Sequence, residues 1–587
     1  MHFHKKIYRI WNGPAGIRTR IKGSGGQCDD PLHYGPIALE QWGNPQKYLR
    51  KTVLTRTFME YTTESEEDFF SEISRMIRAG EINSKSDLQV AKVNLSRKYH
   101  LESIPSDTEI LNSGVFTDEE RKIMRLKRTR TISGVSVVAA MTSPESCPHG
   151  RCIYCPGGPS NNSPQAYTGH EPAALRGRAN SYDPYNQVFG RLSQLETIGH
   201  DVSKVDLIVM GGTFTARPRE YQESFIKGCL DAMNQSVSTT LEDSIRKNET
   251  ASRRCIGLTV ETKPDWFMEK EIDIALSYGT TKVELGVQVL NELVLKKNHR
   301  GHGIQEIVDS TRLSRDAGLK IVYHLMPGMF GTAPGDDIDS FREMIMNPAY
   351  KPDMLKIYPT LVVKGTPLYA LWKMGKYSPP TTDEITEIVA EFLTMVPPWI
   401  RVQRIQRDIP VNFIEAGCKR SDVRNLIEEK LKERSIKTME IRSREVGFEL
   451  MPHSTELNLV RRDYEAGYGK EIFLSYEDSE GHIAGYLRLR KPSDRHHRGE
   501  MNGSSVVREI KVLGEAVHIG DRPDDRWQHR GLGRQLISQA EEISRSEWGM
   551  DRILVISGIG VREYFRKLGY FNVGPYVGKT LLSGGVN

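Results

Sequence analysis

Cys147, Cys152 and Cys155, in the stretch Cys147-Pro-His-Gly-Arg-Cys152-Ile-Tyr-Cys155-Pro-Gly-Gly, put three thiolates on a short glycine-flanked loop with the spacing Cys-x4-Cys-x2-Cys. A structural zinc site closes with four soft ligands, usually in two pairs. The remaining cysteines, Cys28, Cys229, Cys255 and Cys418, are scattered singly, so no second Cys-x2-Cys exists to complete a tetrahedron. Three thiolates suit a 4Fe–4S cluster whose fourth iron stays open for a small ligand. An incomplete zinc knuckle is the competing reading, and the glycine turn downstream of the cysteines counts against it.

Two glycine turns come next. Met210-Gly211-Gly212-Thr213-Phe214 closes an apolar run, and paired glycines at a strand end bare backbone carbonyls and amides toward a ligand. Taken alone, that turn is only a βα connection. Gln528-His-Arg-Gly531-Leu-Gly533 opens a helix carrying Leu536, Ile537, Ala540 and Ile543 on one side. Unpaired N–H groups and the helix dipole there favour a pyrophosphate. Alone, it is a tight turn.

The elements that must position these residues are readable from pattern. Val135–Met141, Val205–Met210, Ile256–Glu261, Lys282–Gln288, Leu319–Met326 and Met354–Leu361 are β-branched runs separated by helix-length segments, as in parallel βαβ units. The cysteine loop follows the first run, where parallel α/β barrels gather active-site groups. Leu457–Asp463, Glu471–Tyr476, His482–Arg490 and Val506–Leu513 read as strands of a separate unit, the first three antiparallel, with Asp478-Ser-Glu-Gly481 as a turn. The expected division is a basic, disordered tail (1–58), a helical region (59–130), an α/β barrel (131–395), a linker (396–450) with a charged helix at Glu415–Glu433, and a C-terminal α/β domain (451–587).

The order of glycine loop, helix, strand Ile553–Ser557 and Tyr564-Phe-Arg-Lys-Leu-Gly-Tyr570 resembles the GNAT acetyltransferase fold. The three cysteines joined to Gly211-Gly212 resemble radical S-adenosylmethionine (SAM) enzymes, in which such a Gly-Gly segment holds the amino group of SAM. Further segments, Tyr167-Thr-Gly, Glu261-Thr-Lys-Pro-Asp265, Glu284-Leu-Gly-Val-Gln288, Lys356-Ile-Tyr-Pro-Thr-Leu361 and Val402-Gln-Arg-Ile-Gln-Arg-Asp-Ile-Pro410, make the chain similar to the family of the Elongator catalytic subunit, which modifies the wobble uridine of transfer RNA.

The resemblance implies a fold, a partial (β/α)6 radical SAM barrel with an N-terminal helical region and a C-terminal GNAT α/β domain. It implies three cofactors: a 4Fe–4S cluster on Cys147, Cys152 and Cys155, SAM at Gly211, Gly212 and Thr213, and acetyl-CoA. Acetyl-CoA contacts fall on Lys204, on Glu509, Ile510, Lys511 and Val512, and on Gly531, Leu532, Gly533 and Arg534. The implied chemistry is a 5′-deoxyadenosyl radical that takes hydrogen from the acetyl methyl, addition to carbon five of uridine, and loss of CoA to leave 5-carboxymethyluridine. Two departures stand out. Phe565 occupies the position where many GNAT enzymes keep a proton-donating phenol, so either Tyr564 is the acid and Phe565 a wall against the cofactor, or that proton is not required. Thr438–Ser443 has no cysteine where some relatives carry a cysteine-rich segment, so no zinc is expected there.

Composition bounds the rest. The 587 residues, 38% apolar and 27% charged, read as a globular chain of several domains. Apolar runs fall short of the ~20 residues of a membrane helix. No secretory leader is visible, and clustered rather than paired cysteines suit a reducing cytoplasm. Residues 1–58 hold ten Lys or Arg against three Asp or Glu, and Arg121–Arg130 has six basic side chains in ten. Such stripes can neutralise the phosphates of a nucleic acid, and the family resemblance implies that this partner is transfer RNA. A homodimer or other Elongator-like subunits stay open as further partners. Gly16-Ile-Arg-Thr-Arg20 matches a translated complement of a transfer-RNA T arm, which makes Met59 the expected start. The rivals are a protein lysine acetyltransferase with a structural iron–sulfur cluster, and a transfer-RNA-binding module with relic folds.

Overall fold

The computed structural model describes residues 64–83, 85–101, 103–113, 134–445, 456–513 and 531–581. The expectations for the tail, for Arg121–Arg130 and for Gln528–Arg530 lie outside these residues.

Helix α1 (Glu64–Arg78) repeats apolar residues at three- and four-residue steps, and Phe69, Phe70, Ile73 and Ile77 are buried. They pack on Leu88, Ala91 and Leu95 of α2 (Lys85–Lys98) and Ile110 of α3 (Asp107–Asn112). The buried Lys92 ammonium lies 2.7 Å from Asp107, locking α2 to α3.

β1 (Ser136–Met141), β2 (Lys204–Met210), β3 (Arg254–Thr262), β4 (Lys282–Gln288), β5 (Lys320–Leu325) and β6 (Met354–Ile357) pair in parallel, in sequence order. The sheet has a seventh strand. After the short β7 (Val362–Val363), β8 (Arg401–Ile405) pairs with β6, so the stretch 396–450, expected as a linker, supplies the last strand of the barrel sheet. β9 (Ile414–Ala416) pairs with β7, and the charged helix begins only at Val423. Burial alternates along β2: Val205, Leu207 and Val209 face the helices and are fully buried. Lys204, Asp206, Ile208 and Met210 take the opposite face and keep partial exposure, so the inside of the barrel is not fully packed.

The C-terminal sheet runs β10 (Asn458–Ala466), β11 (Gly469–Glu477), β12 (Ile483–Lys491), β13 (Ser504–Val512), β14 (Arg552–Val555), then β16 (Tyr576–Thr580) and β15 (Phe571–Val573). Only β13 and β14 are parallel, and their pairing ends at Val507↔Val555, although β13 stays paired with β12 as far as Val512. The two strands therefore part and leave a cleft. A bulge opposite Arg488 and Leu489 gives Arg508 no cross-strand partner, and its side chain enters the barrel domain.

The two domains are joined by buried charge. Arg315, Arg488, Arg490 and Arg508 are fully buried against Asp316, Asp353, Glu471 and the largely buried Glu509. Arg508 Nη1 and Nη2 lie 2.8 and 2.5 Å from the Asp353 carboxylate, Arg315 reaches Glu471 at 2.9 Å, and Arg490 reaches Asp316 at 2.5 Å. Four cations face four anions, the arrangement that lets ions be desolvated at all. Glycines let the backbones close in: a Cβ at Gly558 would lie 2.0 Å from the Ile256 carbonyl oxygen. Ile256, Lys320 and Asp353 stand where their strands begin, so the C-terminal domain covers the N-terminal ends of the barrel strands.

Candidate functional site

The cysteine loop leaves β1 at Met141 and folds over the C-terminal ends of the barrel strands, where the three sulfurs line a cavity of about 150 Å3. Each sulfur meets a polar group. Cys147 Sγ is 3.4 Å from Thr213 Oγ1. Cys152 Sγ accepts from Arg300 Nη1 at 3.3 Å and lies 3.2 Å from His149 Nε2. Cys155 Sγ accepts the Ala166 N–H at 3.1 Å. Burial raises the Cys147 thiol and pushes Cys155 up to about 11, so a metal centre would have to displace protons to bind. Burial, then the charges of Lys263 and Arg300, push His149 down to about 3, leaving a neutral imidazole against Cys152.

The donor set fits a polynuclear cluster better than a single ion. Zn–S bonds near 2.3 Å would hold sulfurs about 3.8 Å apart. Among the described residues, only Glu261, Glu284 and His324 form a trio with ligand atoms all within 4.8 Å, so the three sulfurs are spread wider. Hydrogen bonds to sulfur are a means by which proteins tune iron–sulfur centres.

The Gly-Gly turn comes to the same place. Gly211 has φ 153°, and a Cβ there would fall 1.8 Å from Thr142 Oγ1. At Gly212, φ 87°, a Cβ would be 2.9 Å from the Gln165 carbonyl oxygen and 3.7 Å from Cys147 Sγ. Only glycine allows this approach. Thus Gly211, Gly212, Thr213 and the three cysteines form one site.

Deeper in the cavity lies a polar group to which the sequence reading gave no role, although Tyr167, Glu261, Glu284 and Lys356 each open a segment that carries the family resemblance. Tyr167 donates to Glu261 at 2.5 Å, while Lys356 and His324 both engage Glu284 Oε2, the latter at 2.7 Å. Burial and the neighbouring Glu284 charge push Glu261 up. Burial also opposes ionisation of Glu284, yet Lys356 and His324 hold it below the usual carboxylate range. Lysine and glutamate at alternate positions of the apolar β4, Lys282 and Glu284, were the available signal, because alternate positions share the barrel's inner face.

The second site lies in the β13–β14 cleft. Gly531, φ 79°, caps the helix Leu532–Glu542, whose first-turn amides are aimed without partners in that helix. A Cβ at Gly533 would lie 3.6 Å from the Tyr564 hydroxyl, 3.7 Å from Val512 and 4.0 Å from Ile510. These four residues therefore meet, with Arg534 close enough to Tyr564 to act on its charge. Other expected residues point elsewhere. Glu509 takes Arg488 at 2.8 Å and Tyr486 at 3.2 Å, and Lys511 stands 3.7 Å from Glu445. Phe565 is 1% exposed in the domain core, edge-on to Tyr564 and Tyr570, whereas Tyr564 is 43% exposed. Lys204 starts β2 beside Arg254, the far end from Gly211, about 20 Å along a seven-residue strand.

Residues 141–344 match the Radical SAM superfamily, 352–433 the Radical SAM C-terminal domain and 437–570 the Acetyltransferase (GNAT) family. A tRNA uridine(34) acetyltransferase of Methanocaldococcus jannaschii is 48% identical over 491 residues, covering 81% of this chain and 90% of that one. Elongator complex protein 3 of Homo sapiens is 41% identical over 526 residues, 87% of this chain and 96% of that one. The solved structure of archaeal Methanocaldococcus infernus Elp3 with an N-terminal deletion gives a TM-score of 0.68 at 43% identity, covering 77% of this chain and 100% of that one. No helix among the described residues is long and apolar enough to cross a membrane.

Proposed function

The chain belongs to the family of tRNA uridine(34) acetyltransferases and Elongator complex protein 3, and from that premise we propose that it forms 5-carboxymethyluridine at the wobble uridine of transfer RNA, using SAM and acetyl-CoA. The observation that carries this reading is one chain holding three polar-contacted thiols beside Gly211-Gly212 and, in its other domain, a parted-strand cleft capped by a helix N-terminus.

Cys147, Cys152 and Cys155 would hold a 4Fe–4S cluster, which when bound supplies the single electron that cleaves SAM. The chain's own residues do the positioning. Gly211 and Gly212 offer backbone groups to the SAM amino group, and Thr213 steadies Cys147. Arg300 places a permanent cation against Cys152 in a buried setting, offsetting thiolate charge. In the cleft, the amides of Leu532, Gly533 and Arg534 take the pyrophosphate of acetyl-CoA. Ile510 and Val512 would wall the acyl arm, and the Tyr564 hydroxyl, which comes near Gly533, would give a proton to a departing thiolate. Lys204 would meet the CoA from the barrel side. Transfer RNA is the substrate, other Elongator-like subunits are candidate partners, and the cytoplasm is the proposed location.

Anaerobic incubation with transfer RNA, SAM, acetyl-CoA and a reductant, followed by nucleoside mass spectrometry, tests the reading. The expected product is 5-carboxymethyluridine, absent when any component is withheld. Lysine acetylation of protein without SAM, and no altered uridine, would establish the rival acetyltransferase instead.

A further inference from the structure

Glu284 carries one oxygen that the fold leaves without a partner. The residue is 1% exposed on the barrel's inner face, with Oε2 taken by Lys356 and His324. Its other oxygen, Oε1, is buried with no protein hydrogen bond, and the residue lines the cavity beside the cysteines. An unpaired buried acceptor is costly, so a ligand that brings a donor is what completes it. The spacing of Glu261, Glu284 and His324 would admit a cation, but the Lys356 ammonium already contacts the same carboxylate and repels a second positive centre. A neutral ligand presenting an N–H beside a carbonyl suits the pair: Glu284 accepts, and Lys356, with three donors, has donors beyond the one Glu284 takes.

We propose that Glu284 and Lys356 read the imide edge of the substrate uracil, Glu284 Oε1 accepting the N3–H and Lys356 donating to the carbonyl oxygen at carbon four. This rests on the function proposed above. Arg404, exposed at the same cavity and paired there with Asp408, would reach a flanking phosphate by exchanging that partner. Cytosine would present a bare N3 lone pair to Glu284 and an amine toward Lys356, so both contacts turn repulsive. The pair therefore selects uridine over cytidine by leaving buried polar groups unpaired against the wrong base.

The test uses wild-type, cluster-loaded protein and anticodon stem–loop RNAs with uridine, 3-methyluridine or cytidine at the wobble position. Product formation from 3-methyluridine and cytidine RNAs is expected to fall by about 100-fold or more relative to uridine, with RNA affinity held within about threefold by phosphate contacts. Equal modification of the 3-methyluridine RNA would overturn the assignment. No product from the uridine RNA would instead overturn the proposed function, and this inference with it. A Glu284→Met/Lys356→Met double variant removes the pair without stranding either charge. It should keep SAM affinity within about threefold and lose about 100-fold in uridine modification. Loss of SAM affinity in step would assign the pair to the ribose of SAM, and unchanged modification would dismiss it; if the variant does not fold, the wild-type RNA comparison decides.

Discussion

The cysteine cavity and the β13–β14 cleft both face charged ligands, and they are built from opposite materials. The cavity is made of side chains: three sulfurs, Arg300 and Glu284, with Lys356 and His324 holding Glu284 from beside it. The cleft is made mainly of backbone, with Gly531 and Gly533 exposing amides and Ile510 and Val512 as plain walls. A side-chain site is lost by deleting one functional group. A backbone site is indifferent to most deletions and is lost by adding bulk.

The sharpest way to break the contrast is Cys152→Ala. Two thiolates do not hold a site-differentiated cluster, so SAM cleavage should fall by about 1,000-fold or more, while acetyl-CoA affinity stays unchanged. Measuring 5′-deoxyadenosine and iron per chain after anaerobic reconstitution checks it, and normal cleavage would remove Cys152 from the ligand set. Next comes addition in the other site. Gly533→Glu pushes a carboxylate into the space bounded by Tyr564, Val512 and Ile510, and acetyl-CoA binding by calorimetry should weaken by about 100-fold or more with iron content untouched. Intact affinity would mean that this loop is not where the cofactor binds.

Smaller effects refine the comparison. Arg508→Met removes one cation from between the domains and leaves the buried network one positive charge short, with Asp353 keeping Arg315 and Arg488 and Glu471 keeping Arg315 and Arg490, so chemical denaturation should show a loss of about 3–5 kcal/mol. The smallest expected effect is Phe565→Tyr. Its ring is in the core, so the added hydroxyl should cost about 1–3 kcal/mol in stability and change modification only modestly. A large gain in rate would place residue 565, rather than Tyr564, at the reacting thioester.

The parts of the molecule that the sequence disclosed fall along the same division. The cysteines and Gly-Gly turn were legible because spacing is itself the chemistry, and six barrel strands were legible as β-branched runs. β8 was not: Arg401–Ile405 is short, arginine-bearing, and directly follows Pro397-Pro398-Trp-Ile, a pattern typical of a connector. Phe565 was expected at the cofactor because chain order cannot tell which of two adjacent aromatic rings turns outward. The interdomain charges were hidden by a correct rule. Tyr486-Leu-Arg-Leu-Arg490 alternates as a half-exposed strand does, with arginines on the water side. In the folded chain that side is covered by the barrel, and Arg488 and Arg490 are fully buried.

That covered face bears on heredity as well as stability. The barrel contributes one arginine and two aspartates to the network, and the C-terminal domain three arginines and two glutamates, so the halves carry opposite net charge where they meet. Neither half could be exchanged for a foreign barrel or a foreign acetyltransferase without exposing ions that only its own counterpart neutralises. The two halves must change together, as one gene product. A cut between the halves would leave those ions facing water or a foreign surface.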